Sequence, residues 1–126
     1  MSPTMTEDQK RENRIAALFI ASSNAAKALL AVKKQIQHNQ AHPSIMLLRA
    51  RKVELGQVLL FLDKEFDDVI DGKGSIPAPD DNRIKEIAAL SREVDQMIRN
   101  AHTANALIDA ANSAIKLAND VKNATS

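Results

Sequence analysis

The chain contains no cysteine, tryptophan or tyrosine, and its only aromatic residues are Phe19, Phe61 and Phe66. Without cysteine, disulfide frameworks, thiolate nucleophiles and cysteine-ligated zinc sites are excluded. Glycine and proline are scarce too, with three and four residues among 126. Because these two residue types form most tight turns, few hairpins can be built from this sequence.

Long hydrophobic runs are also missing. The longest, residues 15–21 and 58–62, fall far short of the roughly 20 residues that a membrane span needs, so we expect no transmembrane helix. Residues 14–26 resemble a secretory signal, because a basic residue precedes a short apolar run and small residues. Acidic residues before this segment and an apolar periodicity that continues to Ile36 favour a helix instead. A secreted or membrane-interacting helical subunit is kept as the second alternative.

The residues that are plentiful favour helices. Hydrophobic residues make up 44% of the chain, and most of them are Ala, Leu, Ile and Val. Alanine, leucine and the long charged side chains lose little conformational entropy in a helix. With 126 residues, one unit is expected. We therefore predict an all-α fold with a single helical domain over residues 1–126.

The first two helices are predicted over residues 6–38 and 43–70. The first begins at Thr6, or at a capping box of Thr4 and Glu7, and Pro43 separates the two helices. Apolar residues recur with the three-and-four spacing of a packed helix face. In the first helix these are Ile15, Leu18, Ser22, Ala25, Leu29, Val32 and Ile36, beside a small-residue stripe of Ala17, Ala21, Ala28 and Ala31. In the second they are Ile45, Leu48, Leu55, Leu59, Leu62, Phe66 and Val69.

A loop over residues 71–81, with Gly72, Gly74, Pro77 and Pro79, precedes a third helix predicted over residues 81–122. Asp80 or Asp81 caps this helix, and no glycine or proline interrupts it. It would be about 65 Å long against about 40 Å for the second helix. The predicted architecture is therefore an up-down-up bundle with an extended C-terminal helix, in which residues 109–124 project or fold back.

Apolar surface in excess of what three helices can hide predicts self-association, as in a coiled coil. Residues 58–62 are apolar on all sides, and alanines recur every seven residues in the C-terminal segment. The predicted interface comprises Val58, Leu59, Phe61, Leu62, Ala104, Ile108, Ala111, Ile115 and Ala118. Asn105, Asn112 and Asn119 share the heptad period, so they either select a register between helices or are simply solvated.

Charge is balanced in number, with 17 basic and 16 acidic residues, but uneven in placement. An antiparallel pair of the first two helices would have a basic end near the first turn and an acidic end near the second. The basic group is Lys33, Lys34, His38, His42, Arg49, Arg51 and Lys52. The acidic group is Asp63, Glu65, Asp67, Asp68, Asp71, Asp80 and Asp81, with Lys10, Arg11 and Arg14 predicted beside it. The first alternative function is nucleic-acid binding through Lys33, Lys34, Arg49, Arg51 and Lys52, but base-stacking aromatics are missing, which favours a solvated turn.

Patterns typical of catalysis or metal binding are weak. His38 and His42 are four residues apart, but Pro43 breaks the helix there, and His102 is isolated. Residues 67–75 match neither a calcium loop nor a phosphate loop. No enzyme activity, cofactor or metal is predicted. The expected function is a cytoplasmic helical protein–protein interaction module, such as an adaptor, chaperone-like or inhibitory protein, which forms a homodimer or higher homo-oligomer and binds a protein partner.

Overall fold

The computed structural model describes residues 5–38, 43–73 and 77–123. They form four α-helices: α1, Glu7–His38; α2, Ile45–Ile70; α3, Asp81–Arg99; and α4, Ala104–Lys122. No strand occurs among the described residues, and the helices pack against one another. The all-α bundle is therefore confirmed, with four helices in place of three.

Three helix ends follow from short-range hydrogen bonds or from the local backbone conformation. At the start of α1, Thr6 Oγ1 accepts from the Gln9 amide at 3.1 Å and Gln9 Oε1 accepts from the Thr6 amide at 3.0 Å, which is a capping box. The alternative box with Thr4 lies outside the described residues. At the end of α2, Gly72 has a φ of 78°, a left-handed conformation that favours glycine. Asp80 caps α3 by accepting from the Arg83 amide at 2.7 Å.

α1 and α2 form the predicted antiparallel hairpin. Arg11 Nη2 near the start of α1 donates to the carbonyl oxygen of Ile70 at the end of α2, at 3.1 Å. Core residues recur every seven positions on both helices. On α1 these are Leu18, Ala25 and Val32, and on α2 they are Leu48, Leu55, Leu62 and Val69. One face of each helix is thus buried in the bundle, from Ala17 to Val32 on α1 and from Leu48 to Val69 on α2.

The prediction of one continuous helix over residues 81–122 is wrong, because a turn at residues 100–103 divides it. The Asn100 amide closes α3 on the carbonyl oxygen of Gln96 at 3.0 Å. Thr103 then caps α4 by accepting from the Ala106 amide at 3.1 Å. The break lets α4 bury an apolar face that a projecting helix would leave in water. The prediction of an extended C-terminal helix is therefore wrong. Of the two alternatives for the segment after residue 108, folding back is the one observed, because α4 packs against α1, α2 and α3.

The helices run up, down, up and down. Asn13 near the start of α1 donates to the Pro79 carbonyl oxygen at 2.9 Å and to Asp81 at 3.1 Å, so α1 and α3 begin at the same end. Among the described residues α2 and α3 do not pack against each other, whereas α1 and α4 do. The cross-section is therefore a flattened diamond with α1 and α4 across its short diagonal. Buried alanines allow this approach: Ala17, Ala21, Ala25 and Ala28 on α1, and Ala110, Ala111, Ala114 and Ala118 on α4.

Spin labels at Lys85 and Lys116 test the folded-back arrangement, since the chain has no native cysteine to interfere. A continuous helix would separate the two positions by about 46 Å along its axis. In the bundle, Lys116 borders the same α3–α4 groove as Leu90, a little over one turn beyond Lys85. We expect pulsed electron paramagnetic resonance of the Lys85→Cys/Lys116→Cys variant to give a distance far below that value. A distance at or above it would contradict the turn at residues 100–103.

Ala111→Leu tests the close packing of α1 and α4. Ala111 has no exposed surface and shares a core cluster with Ala25 and Ala28. Because the larger side chain would force the helices apart, we expect a loss of about 1–3 kcal/mol in the free energy of unfolding, measured with denaturant. Ala89→Leu is the matched control, since Ala89 is exposed on α3 and should change stability by less than about 0.5 kcal/mol. Equal stability of the two variants would argue against the diagonal contact.

Candidate interaction surfaces

The residues predicted as an interface lie in or near the core of the single chain. Leu62, Ala104, Ile108, Ala111 and Ala118 are buried, and Val58, Leu59, Phe61 and Ile115 are half-buried. The alanine face of α4 packs against the other helices of the same chain. A second copy could reach these alanines only if α4 left the bundle.

Part of the predicted set does come together at the surface, in a groove between α2 and α4. Its apolar lining is Val58, Phe61, Leu62, Ile115 and Ala118, and its volume is about 260 Å³. Lys122 Nζ lies 4.7 Å from the centre of the Phe61 ring, which is within the range of a cation–π interaction. Pockets for drug-sized ligands typically measure about 300–1,000 Å³. The groove is therefore small for a ligand of that size.

The predicted basic residues gather at one end of the bundle. Lys33 and Lys34 lie near the end of α1, Arg49 and Lys52 lie in the first half of α2, and all four are exposed. Arg51 differs, because it is half-buried and pairs with Glu54 at 2.5 Å. Four exposed cations thus remain for an anionic partner, and the nucleic-acid alternative stays a prediction.

A second groove runs between α1 and α3 at this basic end, with a volume of about 580 Å³. Its lining combines apolar and charged side chains: Lys27, Leu30, Ala31, Lys34, Asp95, Ile98 and Arg99. Lys27 Nζ lies 3.1 Å from Asp95 Oδ2, so one of the cations is paired within the groove. Lys34 from the predicted basic group and Arg99 line the same groove, although the two are far apart in sequence.

The asparagines predicted as a polar register are all exposed on α4, and Asn105 is reached by a hydrogen bond from the Ser44 hydroxyl at 3.2 Å. The buried asparagine is instead Asn24 on α1, which is only 1% exposed. Its Nδ2 donates to Asp95 Oδ1 at 2.9 Å and to the Ser91 carbonyl oxygen at 3.2 Å. Its Oδ1 has no hydrogen-bond partner among the described residues. The sequence does contain a signal for the burial of Asn24, because its spacing continues the small-residue stripe of Ala17, Ala21 and Ala28.

The outer face of α2 carries an apolar stripe that sequence reasoning largely missed. Met46, Val53 and Leu60 are spaced seven residues apart and are 71%, 59% and 73% exposed. They lie opposite the buried row of Leu48, Leu55 and Leu62, which has the same period. The all-round apolar character of residues 58–62 pointed to this helix but did not identify its outer face. We call Met46, Val53 and Leu60 the α2 stripe.

The histidines and the apolar helix α1 bear on the metal-binding and membrane predictions. His38 and His102 are exposed, while His42 lies outside the described residues. In the described part of the chain, no three histidine or acidic side chains gather as metal ligands would.

α1 is long and apolar enough to cross a membrane, as are many core helices of soluble proteins and many signal sequences. One face of α1 is buried against the other helices, whereas the opposite face is exposed.

Comparison with known proteins gave no relative. No family model, no curated protein and no solved structure matches the chain. The function of the protein is therefore inferred from the surfaces of the bundle.

Asn24→Asp tests the buried polar contact between α1 and α3. The substitution puts a carboxylate where the amide now donates to Asp95, and burial adds to the repulsion. We expect the variant to lose about 3 kcal/mol or more of unfolding free energy at neutral pH. Both effects raise the pKa of the new carboxyl in the folded state, so stability should recover as the pH falls through that raised value toward about 4. Asn112→Asp on the exposed face of α4 is the control, and a similar loss there would contradict the role given to Asn24.

Proposed function

We propose that the protein is a non-enzymatic helical protein–protein interaction module, of the adaptor, chaperone-like or inhibitory kind, that binds through the α2 stripe. The observation that carries the proposal is the stripe itself. Met46, Val53 and Leu60 are each more than half exposed, and they form one row about 21 Å long. Apolar side chains that repeat every seven residues along one helix face are typical of helix–helix contacts.

The stripe is not needed for the fold, which supports a role in binding. The core face of α2 is already supplied by Leu48, Leu55 and Leu62, all without exposed surface. Large apolar side chains on the outer face gain little from folding, because they stay in contact with water. A partner helix that covered them would remove that surface from water, as occurs when amphipathic helices pack side by side.

The grooves between helices also support an interaction role. The groove between α2 and α4 and the groove between α1 and α3 are both lined by helix side chains rather than by loops. A groove between two packed helices is a surface on which a partner helix can dock. As part of this proposal we place the module in the cytoplasm, because no feature of the sequence requires an oxidising compartment.

The variant Met46→Gln/Val53→Thr/Leu60→Gln tests this function. Because all three positions are exposed, each substitution should change the unfolding free energy by less than about 0.5 kcal/mol. We expect proteins that co-purify with the wild-type chain from its native host to be lost with this variant, as measured by quantitative mass spectrometry. The control is Phe19→Gln, which removes an exposed apolar side chain from α1 that lies outside both grooves. Equal recovery of partners by wild type and stripe variant would contradict the proposal.

A further inference from the structure

We propose that a second copy of this chain covers the α2 stripe, with the two α2 helices antiparallel about a twofold axis at Gly56. This inference rests on the proposed function, because it names the partner for the same surface. Three features of α2 lead to it: a row of charges that is complementary to itself, a glycine at the centre of that row, and the stripe alongside.

The row consists of Arg49, Gly56 and Asp63, each three residues after a member of the α2 stripe. This spacing places the row next to the stripe on the helix surface. Arg49 and Asp63 are exposed and lie seven residues on either side of Gly56. In an antiparallel pair centred on Gly56, Arg49 faces Asp63 of the partner subunit, and symmetry repeats the contact. A parallel pair would instead place like charges together, so opposite charge selects the antiparallel arrangement.

Both charges are available for a partner. Among the described residues, Arg49 and Asp63 form no ion pair, whereas Arg51 and Arg83 pair with glutamates on their own helices. Exposed ion pairs contribute at most about 1 kcal/mol each. The two symmetric pairs therefore set orientation and register, while the stripe provides the apolar area.

Gly56 has no evident role in the single chain. It lies within α2, where glycine costs about 1 kcal/mol relative to alanine. A Cβ atom at this position would meet no described atom within 4 Å beyond the adjoining backbone of its own helix, so packing inside the chain does not require a glycine. At a twofold axis the missing side chain would let two helix backbones approach closely. Close approach there brings the stripes of both copies into contact.

The size of the surface indicates a weak, reversible dimer. α2 has 26 residues, so one face offers a strip about 39 Å long and about 10 Å wide, or about 400 Å². Stable complexes bury about 800 Å² on each partner. We therefore expect a dissociation constant in the micromolar range or weaker, and dimerisation must be measured up to millimolar concentration.

Sedimentation equilibrium of the wild-type chain, Arg49→Glu and Asp63→Arg tests the arrangement. We expect the wild-type mass to rise from 13.8 kDa toward twice that value with concentration. Each single variant places two like-charged pairs in its homodimer, so its dissociation constant should rise about tenfold or more. An equimolar mixture of the two variants restores both attractive pairs in a heterodimer, which native mass spectrometry can identify by its mass. Lys85→Glu, on the exposed face of α3, is the charge-change control and should leave dimerisation unchanged.

Each outcome separates this inference from the proposed function. A wild-type chain that is monomeric up to millimolar concentration overturns the second copy as partner, yet the co-purification test of the stripe can still succeed. A dimer that survives the stripe substitutions uses another surface and also overturns the inference. Failure of the variant mixture to form a heterodimer overturns the antiparallel pairing of Arg49 with Asp63.

Discussion

The close approach of α1 and α4 is the contact on which the rest of the structure depends. Both helices present buried alanines across the short diagonal of the bundle, so their backbones come near without large side chains between them. Small side chains gain little free energy individually, but they lose almost no rotamer entropy when buried. The larger apolar residues of α2 and α3, such as Leu55 and Val94, then fill the space on either side.

This diagonal contact also determines which surfaces stay open. Because α1 and α4 occupy the centre, α2 and α3 are kept apart and do not pack against each other in the described part of the chain. α2 therefore buries only one face, and its other face carries the stripe of Met46, Val53 and Leu60 into water. The grooves on the α2–α4 and α1–α3 sides arise from the same geometry, since neighbouring helices meet there without a third helix to cover them.

Polar side chains give the apolar contacts a register. Heptad rows of alanine and leucine can slide by one repeat at little cost, because each repeat resembles the next. Asn13 ties α1 to the start of α3, and Asn24 ties its middle to Ser91 and Asp95. A buried amide oxygen without a partner among the described residues costs free energy at Asn24. In return, the hydrogen bonds of Asn24 favour one alignment of the parallel helices α1 and α3 over the others.

The sequence by itself determined the helical class, the antiparallel hairpin and the helix ends at Thr6, Gly72 and Asp80, because these depend on composition, period and hydrogen bonds between near neighbours. The turn at residues 100–103 could not be predicted from the sequence, because its capping residue, Thr103, is of a type that also occurs within helices. There the burial of the alanine face of α4 decided the outcome. Tertiary structure also decided which side of α2 faces outward. The rows of Leu48, Leu55 and Leu62 and of Met46, Val53 and Leu60 have the same seven-residue period, and only the positions of the neighbouring helices distinguish core from surface.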